Sequence, residues 1–375
     1  MDDQLNPAAR RARANETDAA RDGAAAMTDA LYHSTFMRAC RRESVPYTPV
    51  WLMRQAGRYM KEYRDVRAKH TFLEMCKQPE VASEVTVYAA HRLGVDAAII
   101  FADILLIIEP MGLDLEFAKG EGPVIHNPVR ASADVDRVRE VESSEVLASL
   151  GYVMDAIRIT RRELKPDLPL IGFCGAPFTL ASYICEGGSS KNYITTKRLM
   201  YNDAGAWHEL LARISRALAL YLNAQIDAGA QAVQIFDSWV GCLSPDDYRE
   251  YVLPHTRSVI ENVKPGVPVI HFGTGTATLL ELIREAGGDV LGFDWRVSLD
   301  EAWERVGRDT AVMGNLDPVA LLANVGHVRA EAKRILDQAQ GRDGHIFNLG
   351  HGILPETPVE TVISLVEAVH ELSQR

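Results

Sequence analysis

The sequence predicts an α/β fold, a single-domain (β/α)8 TIM barrel, from three observations. Short apolar runs recur along the chain, amphipathic helical stretches separate them, and the runs number eight. Continuous apolar strands alternating with helices imply a parallel sheet covered on both faces. Eight such units suit a barrel, which takes about 250 residues and tolerates insertions. An open, doubly wound sheet is the alternative, since spacing alone does not prove closure.

In order, the predicted strands are PVWLM (49–53), AAIIF (97–101), LIGFC (170–174), AVQIF (232–236), VPVIHF (267–272), VLGF (290–293), AVMGN (311–315) and HIFNL (345–349). The surplus length falls between the second and third, where GLDLEFAKGEGPVIHNP reads as a turn-rich excursion before a helix near 144–164. A helix over 206–228 carries Leu210, Leu211, Ile214, Leu218, Leu222 and Ile226 on one stripe, and Gly229 can end it. Ser244-Pro245, Asp317-Pro318 and Thr357-Pro358 each put a capping side chain before a proline at the first helical position. Ser298 with Glu301, and Thr357 with Glu360, have capping-box spacing.

The chain has 375 residues, 47% hydrophobic and 24% charged, which excludes fibrous and mainly disordered classes. No apolar run approaches the roughly 18 residues of a membrane span. Five cysteines, odd in number and never in a CxxC, argue against a disulfide framework or zinc ribbon. They fit a reduced, cytoplasmic compartment. A net charge of −11 argues against nucleic acid as a partner. Residues 1–26 are rich in Ala and Arg without apolar periodicity, and are expected to form a disordered extension ahead of a domain over 27–375, with Met27 an alternative start. They lack the apolar core of a secretory signal and carry too many acids for a transit peptide.

In a barrel, chemistry belongs just after each strand, on the carboxyl-terminal face. Those positions hold Arg54 and Arg58, then Asp103, then GAPFTLASY ending at Tyr183, then Asp237 and Ser238. His271 with GTGT, Asp294, Asn315 and GHG with His351 complete the circuit. No lysine ends a strand, so a Schiff base has no obvious owner. No HxH or HxxxH pair starts a metal site, and GTGT is neither GxGxxG nor a P-loop. Cys174, inside an apolar strand, reads as a small core residue. Two guanidinium groups, the Asp103 carboxylate, hydroxyls and backbone amides suit an anionic substrate. Taken singly, each has a structural reading: surface ion pairs for the arginines, a helix cap for Asp103, hydrogen-bonding roles for Tyr183 and Ser238, a loop contact for His351.

The strings WLMRQAGRYMKEYR (51–64), FADIL (101–105), GFCGAPFTLASYICEGG (172–188), QIFDSWVG (234–241) and FNLGHGILPETP (347–358) resemble the uroporphyrinogen decarboxylase family, in order, across residues 31 to 370. The resemblance implies a single (β/α)8 barrel, a homodimer, and no metal or prosthetic group. The implied reaction removes carbon dioxide from the four acetate arms of uroporphyrinogen III, giving coproporphyrinogen III in haem biosynthesis. By the same resemblance the binding segment maps onto Arg54, Gln55, Ala56, Gly57 and Arg58, the central catalytic carboxylate onto Asp103, and further substrate contacts onto Tyr183, Ser238 and His351. Tyr63 stands where the family usually has Phe.

The residues suit that chemistry. Arginine matches carboxylates bidentately, and only an ionised carboxylate can accept from several pyrrole N–H groups at once. The expected mechanism protonates a pyrrole carbon, so that the ring becomes the electron sink for decarboxylation while Asp103 stabilises the cation. Two rival functions remain at this point. A zinc-dependent methyltransferase on a related barrel would want His-x-Cys where this chain reads His271-Phe272-Gly273. A non-catalytic tetrapyrrole carrier would keep the cleft but have no need of a central acid.

Overall fold

The computed structural model describes residues 27–118 and 122–375. The expected extension over residues 1–26 lies outside the described residues. The first strand, β1 (Ala98–Ile99), is followed by an antiparallel hairpin of β2 (Leu115–Ala118) and β3 (Gly122–Ile125). Then come β4 (Leu170–Gly175), β5 (Ala232–Asp237), β6 (Val269–Gly273), β7 (Val290–Gly292), β8 (Ala311–Met313) and β9 (His345–Ile346). Without the hairpin they form one parallel sheet of seven strands in the order β1-β4-β5-β6-β7-β8-β9. Helices occupy the connections, the longest being Ala204–Ala228, which packs on β4 and on the helix Ser143–Glu163.

Seven of the eight predicted runs therefore contain a sheet strand. The run at 49–53 does not: only Val50 makes a bridge, parallel to Phe347. Side chains take the backbone donors a ladder would have used. The Asp96 carboxylate accepts from Val50 N–H at 2.7 Å, Gln55 Oε1 from Leu52 N–H at 3.3 Å and Asn348 Oδ1 from Met53 N–H at 3.2 Å. Pro49 has no N–H to offer. The segment still touches both ends of the sheet. Trp51 N–H donates to the Phe347 carbonyl beyond β9, and Asp96 N–H, just before β1, donates to the Val50 carbonyl. A sheet whose two edges meet one short segment is curled.

The excursion between the second and third predicted strands contains β2 and β3, with Phe117 tilted against Phe72 at 4.9 Å between ring centres. The long helix starts at Ala204 and ends at Gly229, whose φ of 116° is a left-handed conformation that glycine tolerates. Ser244 caps Pro245–Tyr251 by accepting from Asp247 N–H. Asp317 caps only a 3-10 turn, Pro318–Leu322. Neither predicted capping box forms. Asp300 takes the Glu301 N–H that Ser298 was to hold, and Pro358, with no side-chain acceptor, occupies the cap position intended for Thr357.

The short β1 leaves one flank of β4 without ladder partners. Gln225, fully buried, supplies them: its Oε1 accepts from Phe173 N–H at 2.8 Å and its Nε2 donates to Phe173 C=O at 2.9 Å. Gly172 makes room, since a Cβ there would stand 2.6 Å from Gln225 Oε1. Phe173, Phe236 and Phe272 meet edge to face across β4, β5 and β6.

Candidate active site

Arg54 lies in a left-handed backbone conformation, φ 60°, one residue past the run that touches both sheet ends. This conformation is unfavourable for a residue with a Cβ and is held by neighbours. Gln55 N–H donates to Leu52 C=O, and Gln55 C=O accepts from the Tyr59 hydroxyl at 2.6 Å. The Gln55 side chain is buried, donating from Nε2 to Ala97 C=O, so it ties the segment to β1 rather than facing solvent. Ala56 packs on the core, and a Cβ on Gly57 would approach the Arg54 carbonyl at 3.0 Å. The Arg54 stem lies directly over Gly352, so closely that a Cβ at 352 would overlap it. That contact seats the guanidinium beside the 350–352 loop.

Asp103 follows β1, half-buried, with Oδ1 accepting from Leu105 N–H at 2.8 Å. Among the described residues it makes no ion pair within salt-bridge distance. Burial raises its pKa to about 6, with the Leu105 N–H and the Arg54 charge pulling back down. Tyr183, on the helix Pro177–Glu186, feels both Asp103 and Arg54, and burial pushes its phenol up to about 12. His351 hydrogen-bonds within its own loop, Nδ1 accepting from Gly352 N–H at 2.7 Å. Burial, with Arg54 next, pushes it down to about 4, so it is neutral at pH 7. Arg54 is thus the hub joining Asp103, Tyr183 and His351. Arg54 and Arg58 are both exposed, and the charges of both bear on Tyr63, which is itself edge-on to Phe101 at 5.8 Å.

Ser238 directly follows β5, and its carbonyl accepts from the Thr274 hydroxyl, linking it to the 273–276 loop. Sequence reasoning missed its neighbour. Trp239 stacks on Tyr183 with ring centres 3.8 Å apart and planes at 29°. Trp239 N–H donates to Thr179 Oγ1 at 3.3 Å, and that hydroxyl donates to Asp237 Oδ1 at 2.8 Å. Asp237 is fully buried, and burial raises it to about 7 against the lowering effect of Thr179. Through Thr179 it holds the backbone that carries the Trp239 indole. The signal was present in QIFDSWVG, but nothing in a linear string says that Trp239 will lie flat on Tyr183.

A separate groove between the helices Pro79–Leu93 and Ser143–Glu163, lined by Glu80, Glu84, Tyr88 and Arg92 among others, contains none of these residues. His271 is fully buried with Nδ1 against Gly287 C=O at 3.2 Å, turned to the helix layer and not to the strand ends.

The family model described as uroporphyrinogen decarboxylase matches residues 31–372. The chain belongs to the uroporphyrinogen decarboxylase family. It is similar, at 62% identity over 342 residues, to the uroporphyrinogen decarboxylase of Carboxydothermus hydrogenoformans, covering 91% of this chain and 97% of that one. The uroporphyrinogen decarboxylase of Sorangium cellulosum is 59% identical over 341 residues, with the same coverage of 91% and 97%. Among solved structures, a methyltransferase from Methanosarcina mazei superposes with a TM-score of 0.76 over 90% of this chain and 97% of its own, at 22% identity. That likeness carries the fold alone. Four of the residues that the resemblance singled out come from four separate stretches of chain, and the charge of one, Arg54, bears on the other three, Asp103, Tyr183 and His351.

Proposed function

We propose that this chain decarboxylates the four acetate arms of uroporphyrinogen III to methyl groups, yielding coproporphyrinogen III, without a metal or prosthetic group. One observation carries the reading: a half-buried carboxylate, Asp103, stands within electrostatic reach of Arg54 and Tyr183 and makes no ion pair among the described residues. With a pKa of about 6 it is mostly ionised at pH 7. It is then free to accept from the inward-pointing pyrrole N–H groups, while Arg54, Arg58, Tyr183, Ser238 and His351 contact the carboxylated periphery. Gln55, Ala56 and Gly57 complete the substrate-binding segment between the two arginines and shape the backbone that presents them.

The substrate supplies its own electron sink. A proton adds to a pyrrole ring carbon and makes the ring cationic. The bond from the acetate methylene to its carboxylate breaks, carbon dioxide leaves, and the electron pair quenches the ring charge as an exocyclic double bond. The methylene carbon takes a proton to become methyl, and the ring carbon gives its proton back, so each acetate consumes one proton net. Asp103 stabilises the cationic stages. Opposite unit charges about 4 Å apart at an effective dielectric of 20 attract by roughly 4 kcal/mol, or about a thousandfold in rate. Enzymes supply about 8 to 23 kcal/mol, so orientation by the arginine clamp and proton delivery contribute the rest.

The reading extends to the assembly. Residues 27–375 act as one domain, with 49–53 closing the curled sheet as the eighth barrel position, supported by its contacts to both edges. The chain works as a homodimer, for which the exposed Val319, Leu322 and Val325 offer apolar surface, in a cytoplasm that keeps its five free cysteines reduced. Anaerobic incubation with uroporphyrinogen III in the presence of a chelator tests the function. The expected result is four carbon dioxide molecules per tetrapyrrole and a tetracarboxylic product; no carbon dioxide would refute it.

A further inference from the structure

We propose that Arg296 is a third guanidinium of the cleft and holds a propionate carboxylate of the substrate through all four decarboxylations, an inference that rests on the function proposed above. The need comes from charge: eight carboxylates surround the macrocycle, and Arg54 and Arg58 cannot serve them all. Among the described residues, Arg296 supplies a further cation at the same end of the sheet.

Arg296 follows β7, at the strand ends where the other site residues stand. Asp294, buried to 1% exposure, accepts from Gly275 N–H at 2.6 Å, from Arg296 N–H at 3.0 Å and from the Arg296 guanidinium. One acid thus joins the 273–276 loop to Arg296. Gly350 packs on the same stretch so tightly that a Cβ there would stand 2.7 Å from Trp295 N. The loop bearing His351 is therefore seated directly against Asp294 and Trp295. His351 lies within the fields of both Arg54 and Arg296.

The guanidinium is preorganised. Its carbon sits 4.3 Å from the centre of the Trp295 ring, and one edge is engaged by Asp294, yet the side chain keeps 53% exposure. An anchored edge and an open edge make a bidentate carboxylate receptor. Arg54 is seated over Gly352, whereas Arg296 is anchored one loop away on Asp294 and Trp295, so the two guanidinium groups present separate carboxylate receptors. Arg296 therefore serves a different arm from the one that Arg54 holds. The acetates are consumed one by one, whereas the propionates persist into the product, so a permanent peripheral contact belongs to a propionate.

The alternative is that Arg296 only neutralises buried Asp294. Arg296→Gln and Arg296→Lys separate the two through KM, kcat, salt dependence, melting temperature and direct anaerobic binding of coproporphyrinogen III followed by tryptophan fluorescence. The proposal expects R296Q to raise KM and the product Kd together by about five- to tenfold at low salt, with kcat within about twofold. The gap should shrink at about 0.5 M salt, and R296K should recover part of it. A lower melting temperature with KM and product Kd unchanged, or a loss confined to kcat, would overturn the proposal. Product binding reads Arg296 whether or not carbon dioxide is released, so a failed function and a failed clamp give different results.

Discussion

Replacing Asp103 by Asn should make the protein more stable and nearly inactive. The substitution keeps the side chain's size and removes its charge. In the folded chain burial raises Asp103 from 3.8 to about 6, so the folded state holds the proton more tightly than the unfolded state. The resulting stabilisation is full below the unfolded value and is lost as pH rises through about 6. For a wholly buried group the complete loss corresponds to roughly 3 kcal/mol. Asp103 is half-buried, and solvent screening reduces this to about 1–2 kcal/mol. The amide suffers no such loss. D103N should therefore melt about 1–4 °C above the wild type at pH 7.5, with the gap narrowing by pH 5. Turnover should fall about a thousandfold, far more than affinity for coproporphyrinogen, because the charge matters most when the ring is cationic. Scanning calorimetry at the two pH values, with single-turnover release of carbon dioxide, measures both sides. Equal melting at both pH values, or parallel losses in turnover and product binding, would refute the reasoning.

Other substitutions probe the neighbours. Arg54→Ala should weaken substrate binding by about tenfold or more and make it less salt-sensitive; unchanged affinity at low salt contradicts the clamp. Trp239→Ala removes the surface on which Tyr183 lies and should cut kcat/KM by about tenfold, with W239F restoring most of it, as steady-state kinetics would show. His351, pushed down to about 4 by burial and by Arg54, should show no imidazole titration by NMR between pH 5.5 and 8, and the acid limb of the rate profile should survive in H351Q. Gln225→Leu leaves the Phe173 N–H and C=O unpaired and should cost about 2–5 kcal/mol by denaturant unfolding, with little effect on KM.

Strand positions were legible because parallel strands covered on both faces are continuous apolar runs. The failure at 49–53 is instructive. Its composition is that of a strand, but Asp96, Gln55 and Asn348 reach in from elsewhere and take its donors, and no local pattern reports such partners. The same blindness hid the hairpin β2–β3, whose alternating Leu115 and Phe117 were overshadowed by the glycines around them. At the site, residues at strand ends were found because the fold dictates where chemistry sits. Roles set by contact were not. Gln55 proved to brace the backbone, while Trp239 and Arg296, each within two positions of a residue already singled out, gained meaning only from what they lie against.

The proposed mechanism requires an ionised Asp103 facing the macrocycle. Isotope-edited infrared difference spectroscopy on the complex with coproporphyrinogen, with D103N as the blank, reads the protonation and hydrogen bonding of this one carboxyl group. A carboxylate band at pH 7.5 that shifts when the tetrapyrrole binds is the expected result. A protonated carbonyl band, or a carboxylate band indifferent to the ligand, would contradict it.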